Sequence, residues 1–305
     1  MKKLVSGVLA SCFIFLTGCG TASIPLGSIA DEAIPLTSAP TSITESSLLQ
    51  ASNSVAKINY TDYSSGYFLA YWLGGDAKVK VLVKTPLGNT YQYNLRSDGQ
   101  PECFPFSEGE GKYSICIYKN INGTQYSMML SEKVDVKFAN AFAPFLGPNQ
   151  YINYEANSNA VKKATELCSN ATTNLERVQA IYSYVIDNIS YDKAKAQSVK
   201  SGYLPNVDET LATGKGICFD YAALMTAMLR SQNVPTKLII GYTGNAYHAW
   251  INVWDETGGW MNATIYFNGN EWKLMDPTFA SNSNESAAIM AYIGNGSNYQ
   301  AKYQY

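Results

Sequence analysis

The sequence predicts an α+β chain in which an all-β segment precedes a mixed one. Three observations carry that prediction. Val79, Val81 and Val83 alternate with Lys78, Lys80 and Lys84, the period-two pattern of a strand with one buried and one wet face. Beyond Pro144 and Pro148 the apolar residues change to helical spacing, with Ala160, Val161, Ala164 and Leu167 on one face. Strand-like runs return from Lys237 onward, and helices followed by an antiparallel sheet define the α+β class.

The first residues read as a targeting segment rather than as part of the fold. Lys2 and Lys3 precede an apolar run from Leu4 to Leu16, which is short for a membrane span. Leu16-Thr17-Gly18-Cys19 closes it and resembles a bacterial lipoprotein signal, so residues 1–19 are expected to be a signal peptide ending in a lipid-modified Cys19. That places the protein outside the cytoplasm, held to the cell membrane at the surface by its lipid. Residues 20–54 are dominated by Ser, Thr, Ala, Pro and Ile without periodicity, the composition of a flexible tether.

Residues 55–140 read as a β-domain. Tyr91, Tyr93 and Leu95 repeat the alternation, as do Val134, Val136 and Phe138, and Leu87-Gly88-Asn89 and Asn122-Gly123 supply turns. Six or seven short strands in about this length fit a sandwich of immunoglobulin-like type. Its aromatic cluster, Tyr67 to Trp72, is expected to be core rather than a binding platform.

Residues 141–305 open with helices. Thr173-Asn174-Leu175-Glu176 has the form of a capping box ahead of Val178, Ile181, Val185 and Ile189. A further helix is expected to begin near Cys218 and to end at Asn233, before Pro235. Strands follow over Lys237–Tyr242 and Tyr247–Trp254, then a hairpin through Asn268-Gly269 into Glu271–Asp276.

A net charge of −2 over 305 residues gives no sign of a nucleic-acid partner or of an electrostatic membrane patch. One histidine and scattered cysteines lack the spacing of a zinc site, and no cofactor is implied. In an oxidising compartment Cys103 and Cys116 are candidates for a loop disulfide, and Cys168 reads as a small buried hydrophobe.

The chemistry concentrates in three short stretches. Cys218 stands where a helix should start, and unpaired amides and the helix dipole favour a thiolate there. Gly214 and Gly216 allow close backbone approach, which leaves room for a substrate carbonyl, and the Cys218 amide is a candidate oxyanion donor. His248 is the only imidazole in the chain, and Asp276 could orient it. Thiol, imidazole and carboxylate are the parts of a cysteine acyl-transfer triad. Trp250 and Trp254 share the strand parity of His248 and are expected to wall the site, with Tyr191 a candidate second oxyanion donor. Asp220 reads as a first-turn helix charge.

Gly216-Ile217-Cys218-Phe219-Asp220-Tyr221-Ala222, Tyr242, Tyr247-His248-Ala249-Trp250 and Asp276-Pro277-Thr278 together resemble the core of the transglutaminase-like superfamily. The resemblance covers about residues 149–279 and implies a papain-like α+β fold, with Cys218 as nucleophile, His248 as base and Asp276 as its orienter. It implies a thioester passed to water, as in a peptidase or amidase, or to an amine, as in cross-linking. Hydrolysis of a peptide, protein or cell-wall substrate is the first reading, amine transfer the second, and a non-catalytic surface module binding peptide or wall polymer the third. No acidic cluster reads as a calcium site.

Overall fold

A computed structural model describes residues 48–255, 259–261, 265–267, 272–274, 278 and 298–305. Cys19, Asp276 and the turn at Asn268-Gly269 lie outside the described residues. Folded structure begins inside the segment expected to be tether, because β1 (Gln50–Ser52) pairs with β2 (Ala56–Asn59). The chain continues through β3 (Tyr67–Trp72), β4 (Val79–Lys84), β5 (Thr90–Leu95), β6 (Glu102–Pro105), β7 (Gly111–Asn122) and β8 (Gln125–Val136). These strands make two four-stranded antiparallel sheets, ordered β1-β2-β3-β6 and β5-β4-β7-β8.

The inward residues of the two sheets meet. Phe104 of β6 packs on Phe68 of β3 at 5.4 Å and on Tyr93 of β5 at 4.8 Å between ring centroids. Phe68, Ala70 and Trp72 are buried while Tyr67, Leu69 and Tyr71 are half-buried, so the aromatic cluster is core on one face only. Burying a side chain such as Phe68 contributes roughly 1.5–3 kcal/mol.

The remainder is mixed. It contains α1 (Asn159–Leu167), α2 (Asn174–Asn188), β9 (Ser190–Tyr191), α3 (Lys193–Ser198), α4 (Val207–Thr213), β10 (Lys215–Gly216) and α5 (Cys218–Ser231). Then come β11 (Thr236–Thr243), β12 (Ala246–Asp255), β13 (Gly259–Met261), β14 (Ile265–Phe267), β15 (Trp272–Leu274) and β16 (Tyr299–Gln304). The predicted capping box holds, since Thr173 accepts from the Glu176 amide and the Glu176 carboxylate accepts from the Thr173 amide. Strands β14 and β15 pair antiparallel, as the predicted hairpin requires.

Helix α5 is the axis of this half. Its sequence from Tyr221 to Leu229 is apolar on nearly every side, and all of it is buried, the pattern of a helix enclosed by neighbours rather than laid on a surface. The helices α1, α2 and α4 and the strands β11 and β12 surround it. It ends at Gln232, after which Asn233 takes the left-handed conformation that closes helices before Pro235.

The sheet beside α5 runs β13-β12-β11-β16, with the C-terminal strand paired to β11. Through that strand the two halves share one core: Tyr303 and Tyr305 pack on Tyr91 at 5.0 and 5.5 Å, and the Gln304 amide donates to the Tyr91 hydroxyl.

The expected Cys103–Cys116 disulfide does not form. Cys103 lies on β6 and Cys116 on β7, strands of different sheets, and both thiols are free. Cys103 instead donates to the Pro148 carbonyl, 3.4 Å away. Cys168 is buried at the end of α1, as expected of a small hydrophobe.

Candidate active site

Cys218 is the first residue of α5, and its place is built from both sides. The short parallel pair β9–β10 sets Tyr191 opposite Gly216, two residues before the thiol. The Asp192 amide extends that pair by donating to the Gly216 carbonyl at 2.9 Å.

The glycines have different work from the substrate room expected of them. Gly214 is the left-handed cap of α4, at φ 60°. Gly216 makes room for a side chain, because a Cβ there would stand 2.7 Å from Cβ of Asp220.

Asp220 is far more than a solvated first-turn charge. It is fully buried, and its Oδ2 accepts from the Ile217 amide at 2.8 Å, fixing the entry to α5. The same carboxylate pairs with Lys195 Nζ at 2.7 Å and accepts from the Tyr203 hydroxyl at 2.5 Å. Lys195 also reaches the Tyr203 hydroxyl at 2.6 Å. These three side chains clasp α3 and the segment after it to the start of α5, next to the thiol. Burial raises the Tyr203 phenol to about 12, with the Asp220 hydrogen bond adding to the rise. It therefore stays a donor at neutral pH.

Cys218 opens onto a cavity of about 570 Å³, within the roughly 300–1,000 Å³ usual for ligand sites. Tyr191, Tyr151, Phe219, Tyr203, Tyr247 and His248 line it with Cys218, and Lys80, Gln92 and Asn94 form its far wall. The structure thus brings Cys218, His248 and Tyr191 to one cavity.

His248 is buried on β12, opposite Gly241 of β11. That glycine is required, since a Cβ there would meet the Gln300 carbonyl at 2.1 Å and the Trp250 ring at 2.8 Å. Alternation sends Ala249, Ile251 and Val253 into the core that contains α5, and His248 and Trp250 to the other face, with Ile239 and Tyr299.

Trp250 is not among the described residues that line the cavity. It lies beside the imidazole, ring centroids 6.2 Å apart and planes within 21°, and holds it from the side. Trp254 packs farther along, on Phe142 at 4.7 Å and Trp260 at 5.6 Å.

Tyr247, which sequence reasoning passed over, lines the cavity, and its phenol is raised by burial and by Tyr303, Tyr242 and the Cys218 thiol. Among the described residues the Cys218 sulfur makes no hydrogen bond, so thiol and imidazole share the cavity without being joined across it. Catalytic hydrogen bonds are often long before substrate binds and tighten afterwards.

The profile of the Transglutaminase-like superfamily matches residues 161–265, from α1 to the start of β14, and so contains both Cys218 and His248. Those residues form a transglutaminase-like domain. Kyphoscoliosis peptidase of Homo sapiens is 33% identical to this chain over 128 residues, which are 41% of this chain and 19% of the human protein. The UPF0252 protein of Methanocaldococcus jannaschii is 25% identical over 140 residues, 42% of this chain and 39% of its own length. The chain thus spans well under half the length of either relative. A crystal structure of a candidate cysteine protease from Cytophaga hutchinsonii superposes with a TM-score of 0.36 and 17% identity, over 76% of this chain and 78% of that one.

Within the transglutaminase-like domain, the thiol and the imidazole stand on the elements named from sequence, α5 and β12. Among the described residues no group of three His, Cys, Asp or Glu side chains could hold a metal ion.

Proposed function

We propose that this protein is an exported, lipid-anchored cysteine hydrolase that cleaves peptide or amide bonds through a thioester on Cys218. The observation that carries the reading is the thiol at the first residue of a buried helix, facing the cavity that His248 also lines. A helix start favours thiolate, and an imidazole is the group needed to take the proton from sulfur.

In this reading His248 accepts the thiol proton as sulfur attacks the amide carbonyl. The tetrahedral oxyanion is held by the Cys218 amide and the Tyr191 phenol. His248 then gives the proton to the leaving amine, the C–N bond breaks and a thioester remains. Water, deprotonated by His248, attacks the thioester, releasing a carboxylic acid and the thiol. Asp276 accepts from the second ring nitrogen and fixes the tautomer. The name of the human relative, a peptidase, supports hydrolysis over transfer to an amine. The two sheets of residues 50–136 would be the immunoglobulin-like part of an ectodomain held by lipid on Cys19.

Alkylation tests the nucleophile. Burial pushes the Cys103 thiol up to about 12 and raises that of Cys168, so neither should compete near neutral pH. Brief iodoacetamide treatment followed by peptide mapping should find Cys218 modified well ahead of both, with activity lost in step. Equal labelling of Cys168 and Cys218 would contradict the proposal.

The anchor has its own test. The native protein should partition with membranes and Cys19→Ala should not. A mature N-terminus without lipid on Cys19 would remove the anchor from the account.

A further inference from the structure

We infer that the acyl donor is an acidic peptide, one with a carboxylate side chain near the bond to be cleaved; this rests on the hydrolase reading above. The whole chain is slightly acidic, yet the charged side chains among the described residues of the cavity lining, Lys80 and Lys200, are both cationic. Strands β4, β5 and β7 carry Lys80, Lys84, Lys112 and Lys119 and not one carboxylate. Lys80 reaches the cavity, and alternation along β4 sets Lys78 and Lys84 on the same outward face of the sheet. From the opposite side, residues 193–206 contribute Lys193, Lys195 and Lys200, again with no acid, and Lys200 lines the cavity.

Two carboxylates beside this segment are already engaged. Asp220 is held by Lys195, Tyr203 and the Ile217 amide, and Asp192 caps α3 through the Lys195 amide. Lys195 is spent on Asp220 and does not reach the cavity, so Lys80 and Lys200 are the cations among the described lining residues. Among the described residues that line the cavity, none is Asp or Glu.

The two walls meet, so both lysines line one cavity. Gly202, at φ 88°, brings the loop against β5 so closely that a Cβ would stand 2.7 Å from Asn94 Nδ2. Between the lysines the lining offers Gln92 and Asn94, whose amides suit a peptide backbone, and the rings of Tyr151 and Phe219. A cleft of one sign with low-dielectric walls concentrates ligands of the other sign. A peptide is favoured over a phosphate polymer because the cationic walls lead to a thiol suited to acyl chemistry.

The test uses binding, so that it does not depend on turnover. In the Cys218→Ala protein, fluorescence anisotropy would compare an alanine pentapeptide with a central glutamate against the same peptide with glutamine. The glutamate peptide should bind about 10-fold more tightly at low salt, a ratio that shrinks toward one at high salt as the charges are screened. K80Q and K200Q should each lower the ratio, and the charge reversals K80E and K200E should invert it.

Equal affinity for the two peptides overturns the inference, even if the wild-type enzyme cleaves both. Tighter binding of inorganic polyphosphate than of the glutamate peptide overturns it as well. Preference for glutamate without any thioester on wild-type Cys218 would sustain the acidic site while ending the hydrolase reading.

Discussion

Cys218→Ala should abolish turnover while leaving the fold intact, because the residue it alters is only half-buried at a helix start and alanine is the best helix former. Cys218→Ser should be nearly as inactive, since the hydroxyl does not ionise near neutral pH. His248→Ala removes the only imidazole in the chain, and with it both the acceptor of the thiol proton and the donor to the leaving amine. It also leaves a void beside Trp250 in a buried setting, so a loss of stability should accompany the loss of rate.

Asp276→Asn is the sharper test of the third group. The isostere can donate where the carboxylate accepts, favouring the wrong ring tautomer, and a loss on the order of 10³–10⁴ in rate follows by analogy with serine triads. Single-turnover kinetics on an amide substrate would measure all four. Full turnover in Cys218→Ala would end the enzymatic account.

The largest structural effect should come from Arg230. Its side chain is almost wholly buried near the end of α5, and burial lowers its pKa to about 10 against the opposing pull of Tyr154 and Cys103. It is satisfied by carbonyls: Nε donates to Thr236 at 2.9 Å, and the two terminal nitrogens to Gly147 at 2.6 Å and Tyr305 at 2.7 Å. One guanidinium thus ties the central helix to the start of β11, to the segment after the β-sheets and to Tyr305, the residue after β16.

Removing it strands buried carbonyls, at about 1–3 kcal/mol for each left unpaired. With three acceptors left unpaired, Arg230→Ala should cost at least about 3 kcal/mol. Arg230→Lys should recover only part of this, because an ammonium lacks the planar fork that reaches three acceptors. Urea unfolding would show it as a lowered midpoint, and a loss below about 1 kcal/mol would contradict the assignment.

What the sequence reveals of this site, and what it hides, divides by range. The capping box at Thr173, the start of α5 at Cys218 and the strand through His248 are local patterns, and the structure has each where spacing puts it. Contacts made across the chain were not legible. Nothing local in Tyr299–Gln304 announces that it pairs with β11 and seals the core against Tyr91.

The clasp of Asp220 by Lys195 and Tyr203 depends on α3 folding back over α5, so Asp220 alone looks like a helix-start charge. Gly216 looks like space for substrate in the sequence, because its true neighbour, the Asp220 side chain, is set by the helix turn that follows. Trp250 has the parity of His248, yet parity cannot say whether a ring lines a cavity or flanks the residue that does. Cys103 and Cys116 are close in sequence, and only the assignment of β6 and β7 to different sheets separates them.

Intact-protein mass spectrometry of the acyl intermediate bears most directly on the role of Cys218. The protein would be mixed with an amide substrate, quenched in acid within the first turnover and mapped. A thioester adduct on Cys218, hydroxylamine-labile, missing from Cys218→Ala and accumulating in step with released amine, is the predicted result. Amine release by the wild-type protein with no adduct on Cys218, or with an adduct on a different residue, would contradict it.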